Sequence, residues 1–187
     1  MGRIIVTEFV SVDGVFEAPH EWHFPFFNAQ AQQYKMDELR ATDALLLGRA
    51  TYEGFAEAWP QMSGDEFSDK FNTMPKHVVS TTLENPTWTN SHVVRGNLAT
   101  ELGKLKEQYQ QDLFIHGSGN LANSLIQQGL VDEVRLMVHP VVVGKGRRFF
   151  GEGTSVAALK LASITTWESG IVLLTYQPTE PPADPGE

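Results

Sequence analysis

The sequence predicts an α/β domain built on a largely parallel sheet, with helices covering it and an antiparallel hairpin at its end. Three observations predict it. Ile4–Val10, Ala44–Leu47 and Leu113–Ile115 are short, near-continuous apolar runs, as in strands buried on both faces. Helical patterns alternate with such runs through the middle of the chain. The last two strand-like runs, Leu159–Trp167 and Ile171–Tyr176, are separated only by Glu168-Ser169-Gly170, a hairpin connection.

The elements follow in order. After strand Ile4–Val10 comes a loop rich in Gly, Pro and aromatic residues, Ser11 to Phe26. Phe27, Ala31, Tyr34 and Leu39 then recur at helical spacing. Ala44–Leu47 stops at Gly48 and gives way to a helix beginning near Thr51. Pro60 to Asp65 reads as loop, Lys76 to Val79 as a strand closed by Ser80-Thr81-Thr82, and Ser91 to Val94 as a further short strand. Leu98, Leu102, Leu105 and Tyr109 mark an amphipathic helix. Leu113–Ile115 leads through a glycine turn into a helix from Ser118 to about Gln128, which Gly129 is placed to end. Val134, Leu136 and Val138 alternate as a strand. Internal repeats are not evident.

The 187 residues suit one domain, expected over residues 1–177, with a disordered, acidic, Pro-rich tail over 178–187. The absence of cysteine excludes disulfides, thiolate zinc sites and cysteine nucleophiles. A net charge of -9 argues against a nucleic-acid partner gripped through its phosphates. No stretch approaches the roughly 20 apolar residues that span a bilayer, and the amino-terminal segment lacks the apolar core of a signal peptide. A cytoplasmic protein that engages no membrane is expected.

Three strand ends have the chemistry to hold phosphate. In Leu47-Gly48-Arg49-Ala50-Thr51-Tyr52, a strand meets a helix start whose free amides attract an anion, and Arg49 adds a charged fork. In Ile115-His116-Gly117-Ser118-Gly119-Asn120, two glycines leave room for a pyrophosphate to approach the main chain. Val79-Ser80-Thr81-Thr82 offers hydroxyls. Each alone also reads as a plain glycine turn or a strand end. Ligands of open α/β sheets sit at the carboxyl ends of parallel strands, so the three segments can converge on one elongated anionic ligand.

Gly48-Arg49-Ala50-Thr51-Tyr52-Glu53 resembles the Gly-Arg-x-Thr-aromatic-Glu segment of dihydrofolate reductase. Pro75-Lys76-His77-Val78-Val79-Ser80 resembles that family's next strand, and Val12-Asp13-Gly14 the start of its mobile loop. Closer is the reductase domain of the bifunctional riboflavin-biosynthesis deaminase/reductase, with its stand-alone relatives. The shared run is Gly117-Ser118-Gly119, Leu121, Leu125 and Gly129-Leu130-Val131-Asp132-Glu133, then Pro140, Gly144-Lys145-Gly146 and Phe149-Phe150. The resemblance covers the chain up to about Gln177. It implies a three-layer αβα, dihydrofolate reductase-like fold.

The resemblance also implies an NADPH site at the Gly48 turn. Arg49 and Ser80, with Thr81, would face the 2′-phosphate, and Thr51 the pyrophosphate. Gly117, Ser118, Gly119 and Asn120 would wrap the pyrophosphate and the nicotinamide ribose. The reaction implied is reduction of a small heterocyclic or ribosyl substrate, nominally 5-amino-6-(5-phosphoribosylamino)uracil. A homodimer through the last strands is implied too, although burial within the monomer explains the same apolar pattern.

The chain departs from these relatives in two places. Gln32 and Gln33 stand near the position where dihydrofolate reductases carry a helix carboxylate, and Asp37 and Glu38 come a turn or more later, so folate reduction is not expected. Without cysteine the zinc-dependent deaminase step is excluded.

Other candidates stay open. Asp13 reads as a residue that contacts substrate or positions a water, or as a turn-forming Asp-Gly, and the proton donor is left between bound water and Asp13. Trp22, Phe24 and Phe26 offer flat rings to a heteroaromatic substrate, or simply pack the loop. Glu17, His20 and His23 suit no standard metal spacing, and no metal is expected. Ser118 beside His116 lacks the Gly-x-Ser-x-Gly elbow of a hydrolase. Lys145, Arg147 and Arg148 form a basic cluster, either a phosphate receiver or solvated charge. Two rivals remain: a non-catalytic nucleotide-binding module, and a reductase that uses NADH.

Overall fold

The computed structural model describes residues 1–152, 154 and 157–180. Its core is one eight-stranded sheet in the order β4-β3-β2-β5-β1-β6-β8-β7. The strands are β1 (Ile4–Ser11), β2 (Thr42–Gly48), β3 (Lys76–Val79), β4 (Ser91–Val94), β5 (Asp112–Ile115), β6 (Glu133–His139), β7 (Ala158–Thr166) and β8 (Val172–Thr179). Pairing is parallel from β4 through β6 and antiparallel for β6–β8 and β8–β7. A mostly parallel sheet with an antiparallel carboxyl-terminal hairpin is the expected architecture. The hairpin's second strand, β8, lies against β6 and leaves β7 at the edge, where Leu161 and Ile164 are exposed.

The alternation of side chains along each strand divides the core in two. Ile4, Val6 and Leu46 face α4 (Leu98–Gln108) and α5 (Gly119–Gln127), packing on Leu102, Leu105, Leu121 and Leu125. Ile5, Leu45 and Leu47 face the other way. There they meet Leu39 of α1 (Ala29–Arg40), Tyr52 of α2 (Arg49–Ala58) and Phe71 of α3 (Glu66–Thr73). Helices on both faces explain why the parallel strands read as unbroken apolar runs.

α1 is the exception to simple amphipathicity. Its buried positions are Ala31, Lys35, Glu38 and Leu39, so a cation and a carboxylate lie on the face a helix normally keeps apolar. α2 starts at Arg49, two residues before the expected point, because Gly48 is extended (φ -77, ψ 156) and the chain turns helical directly after it. α3 falls between the expected Pro60–Asp65 loop and β3, in a stretch to which the sequence reading assigned no element. Asp65 caps it by accepting from the N–H groups of Phe67 and Ser68.

The carboxyl-terminal boundary also differs from the expected one. Pro178 and Thr179 belong to β8, opposite Leu159 and Ala158. The rest of the expected tail, 181–187, lies outside the described residues.

Candidate active site

The sheet's own pairing opens the site. β1 and β5 are paired at Ile4–Leu113, Ile5–Phe114 and Val6–Ile115, and the ladder stops there. β1 nonetheless continues to Ser11, paired on its other side with β6. Beyond Val6 and Ile115 the two strands part, and the Gly117–Ser118 turn faces β1 across the gap. β1 feeds a connection to one side of this point and β5 feeds one to the other, the topological position where open α/β sheets take their ligands.

Two of the strand-end turns singled out above meet beside this gap. Ser118 Oγ accepts from the N–H of Gly48 (3.0 Å) and donates to the carbonyl of His116 (3.2 Å). Thr51 Oγ1 donates to the carbonyl of Gly117 (2.9 Å). Gly117 has φ +64, and a Cβ there would stand 3.2 Å from Thr51 Cγ2. A Cβ on Gly119 would stand 2.5 Å from Phe16 Cζ, so the missing side chain admits a ring of the loop after β1. Gly119 is therefore required by this packing whether or not a ligand is bound.

The helix starts at this junction differ from the rest. α1, α3 and α4 are capped by the side chains of Asn28, Asp65 and Asn97. α2 and α5, which follow Gly48 and Ser118, have no side-chain cap. Their first amides keep hydrogen-bonding capacity for an anion.

The third turn lies one strand farther along. Arg49 donates to Thr82 Oγ1 (2.7 Å) and lies 3.4 Å from Glu53, with half of its side chain exposed. Ser80 Oγ accepts from the N–H groups of Thr82 and Leu83 (3.2 and 3.0 Å). Thr81 is exposed, and Thr82 holds the guanidinium instead. From β3 to β1 is three strand spacings, roughly 14 Å, long enough for an extended dinucleotide. Uncapped helix starts, a glycine turn and an exposed guanidinium in one row suit an elongated ligand that carries several anionic groups.

Asp13 is fully occupied. Its Oδ1 accepts from Ser11 Oγ (2.6 Å) and the Val143 N–H (3.0 Å), and its Oδ2 from the Gly144 N–H (2.8 Å). Ser11 first, then the two amides, hold its pKa down to about 2. Arg148 adds a bond to the Asp13 carbonyl (2.9 Å), and Arg147 binds Glu17 (2.9 Å). Asp13 thus latches the 141–148 loop to the loop after β1, and near neutrality it has no proton to give. The basic cluster's two arginines belong to the same latch.

The aromatic candidates separate. Trp22 is only 9% exposed, donates to the Glu17 carbonyl (3.1 Å) and packs edge-on against His139. It is part of the loop's packing. Phe24 is 64% exposed and lies over His23, with ring centroids 4.1 Å apart. His23 Nδ1 and His139 Nε2 are buried without partners. Burial first, then His139 and His20, lowers the His23 pKa to about 4. Among the described residues no group of three or more His, Cys, Asp or Glu could hold a metal. Asn120 is exposed and lines a cleft of about 680 Å³ with Phe16, Arg147 and Phe149.

Sequence reading named Glu38 only as misplaced for folate reduction, and it missed the other ionisable groups buried beside it. Under α1, Lys35 is paired with Glu38 and donates to Thr7 Oγ1 (3.2 Å), while Arg135 on β6 donates to Glu38 Oε1 (3.0 Å). Burial disfavours the Glu38 charge, but Lys35 and then His116 and Arg135 outweigh it, and the pKa ends below normal. Glu8, on the opposite face of β1, is 5% exposed, and its Oε1 has no partner. Burial raises its pKa to about 8, against the opposing pull of the Gly117 amide, Lys35 and the Ser118 amide. A carboxylate inside the run Ile4–Val10 was the available signal.

His116 packs on Phe71 and Phe114, with its pKa lowered to about 3 by burial and then by Lys35, and it makes no pair with Ser118. Gln32 is exposed and donates to the Phe27 carbonyl (3.3 Å), so its place on α1 carries no acid. Among the described residues, no helix is long and apolar enough to cross a membrane.

Residues 3–173 match the RibD C-terminal domain family. The chain is similar to the uncharacterized protein YyaP of Bacillus subtilis (strain 168), 28% identical over 181 residues, which cover 93% of this chain and 94% of that one. A putative riboflavin biosynthesis protein from Shewanella sp. PV-4 superposes with a TM-score of 0.74 at 20% identity, covering 95% of this chain and 99% of that one. Dihydrofolate reductase from Enterococcus faecalis, solved with NADP(H), superposes with a TM-score of 0.60 at 17% identity, covering 96% and 98%.

Proposed function

The chain belongs to the RibD C-terminal domain family, and from that premise we propose that it is an NADPH-dependent reductase of a small heterocyclic or ribosyl substrate. The nominal reaction is reduction of the ribosyl group of 5-amino-6-(5-phosphoribosylamino)uracil to a ribityl chain. The observation that carries this reading is the junction of the Gly48 and Gly117 turns through Thr51 and Ser118. It aligns two uncapped helix starts with Arg49 and Ser80 along the edge of the sheet.

Each residue has a definite task in this reading. The amides opening α2 and α5 bind the diphosphate, and Arg49, held by Thr82, binds the 2′-phosphate together with Ser80. Thr51 fixes the spacing between the two turns. Phe16, seated over Gly119, and the loop latched by Asp13 shield the gap from water. Lys35, Glu38 and Arg135 form a rigid polar floor below it. The bound nicotinamide supplies hydride, and the protein supplies orientation and electrostatics.

The non-catalytic alternative draws support from Gln32, which leaves α1 without the acid used in dihydrofolate reductases. NADPH oxidation, followed optically with the phosphoribosylaminouracil as substrate, separates the two readings. Turnover that depends on both compounds is expected. NADPH binding without turnover of any imine or carbonyl substrate supports the alternative.

A further inference from the structure

With Asp13 committed to the loop latch, no side chain is assigned as proton donor in the reductase reading, and the inference here rests on that reading. We propose that Glu8 donates the proton. β1 sets this residue just beyond the Val6–Ile115 pair, where β1 and β5 part, with the Gly117 and Ser118 amides facing its carboxyl and Oε1 buried without a partner among the described residues.

Continuing the register of the broken ladder sets Glu8 across from Gly117. The side chain is 5% exposed, and an unsatisfied carboxyl oxygen at that depth is costly unless something else completes it. Elsewhere in this molecule the buried charges are answered: Glu38 has Lys35 and Arg135, and Lys76 has the carbonyls of Asn72 and Thr89. Among the described residues Glu8 has no counter-ion in contact. The neighbours acting on it are the Gly117 and Ser118 amides and the more distant Lys35 of α1. Burial outweighs them and pushes the Glu8 carboxyl up to about 8, the direction a general acid needs.

The step balances simply. Hydride from a reduced nicotinamide forms a new C–H bond at the carbon of a C=N or C=O group. The π electrons move to nitrogen or oxygen, and the carboxyl O–H bond of Glu8 breaks as that nitrogen or oxygen takes the proton. Substrate is reduced, nicotinamide is oxidised, and the Glu8 carboxylate regains its proton from water.

The test reads the carboxyl directly, by infrared difference spectroscopy of the full chain. Wild type should show a protonated carboxyl band at neutral pH that titrates near pH 8 and is absent in Glu8→Gln. NADPH should shift this band, whereas adenosine 2′,5′-bisphosphate, which reaches only the Arg49 end, should not. In single turnovers with the phosphoribosylaminouracil, Glu8→Gln should lower the rate about 10²- to 10⁴-fold at unchanged NADPH affinity, with partial recovery in Glu8→Asp. Absence of the band, a band indifferent to bound NADPH, or equal rates in wild type and Glu8→Gln would each overturn the assignment. Failure of wild type to bind NADPH would remove the cofactor reading and the assignment together, even with the band present.

Discussion

Thr51 Oγ1 donates to the carbonyl of Gly117 across 2.9 Å, joining the first turn of α2 to the turn after β5. This bond sets the width of the proposed diphosphate site. Thr51→Val keeps the shape and removes the bond. It should cost about 1 kcal/mol in urea unfolding and weaken NADPH several-fold by letting the two turns separate. Gly117→Ala puts a Cβ at φ +64 and 3.2 Å from Thr51 Cγ2, and should destabilise by about 1–2 kcal/mol. NADPH affinity unchanged in both variants would show that the turns do not form the site.

The Asp13 latch ties chain segments 130 residues apart, from Asp13 to Val143. Asp13→Asn should raise amide hydrogen exchange over residues 142–148 and raise KM more than it lowers kcat, with no change in the pH–rate profile. The sign of its own linkage is fixed. The folded pKa of Asp13 is depressed to about 2, so its stabilising contribution is present above the ordinary value of 3.8 and is lost as pH falls through 2. A shift in the alkaline limb of the rate profile, where a required acid loses its proton, would restore Asp13 as an acid.

Glu8 and Glu38 make stability depend on pH in opposite directions. The raised pKa of Glu8 gives a contribution that is full below 4.5 and is lost as pH rises through about 8. The lowered pKa of Glu38 gives one that is full above 4.5 and is lost as pH falls below it. Chemical denaturation across pH should show wild type losing stability toward pH 8, and Glu8→Gln should flatten that loss. Glu38→Ala should cost about 3–5 kcal/mol, because Lys35 and Arg135 lose their shared counter-ion. Lys35→Met combined with Glu38→Leu should recover much of it.

Much of the fold was legible because burial on both faces leaves a simple signature. Ile4–Val10, Ala44–Leu47 and Leu113–Ile115 could be read as central strands without knowing their neighbours. The position of β8 between β6 and β7 could not be read, since strand order depends on pairings distant in sequence. α3 escaped because most of Glu66–Thr73 is polar and only Ser68 and Phe71 are buried.

The turns at Gly48 and Gly117 were legible as local motifs, whereas their union through Thr51 and Ser118 was not. Asp13 looked like an acid until its partners on the 141–148 loop were visible. Glu8 passed unnoticed inside an apolar run. Its importance appears only with the parting of β1 and β5, which no local pattern encodes.

The central claim is an NADPH site at the carboxyl ends of β3, β2 and β5, and fluorescence titration of the purified protein with NADPH and NADH tests it most directly. The account predicts saturable binding of NADPH, much weaker binding of NADH, and an Arg49→Ala variant whose NADPH affinity falls about 10-fold or more toward that of NADH. Equal affinity for the two cofactors, or binding undiminished in Arg49→Ala, would contradict the assignment of Arg49, and no binding of either would contradict the site itself.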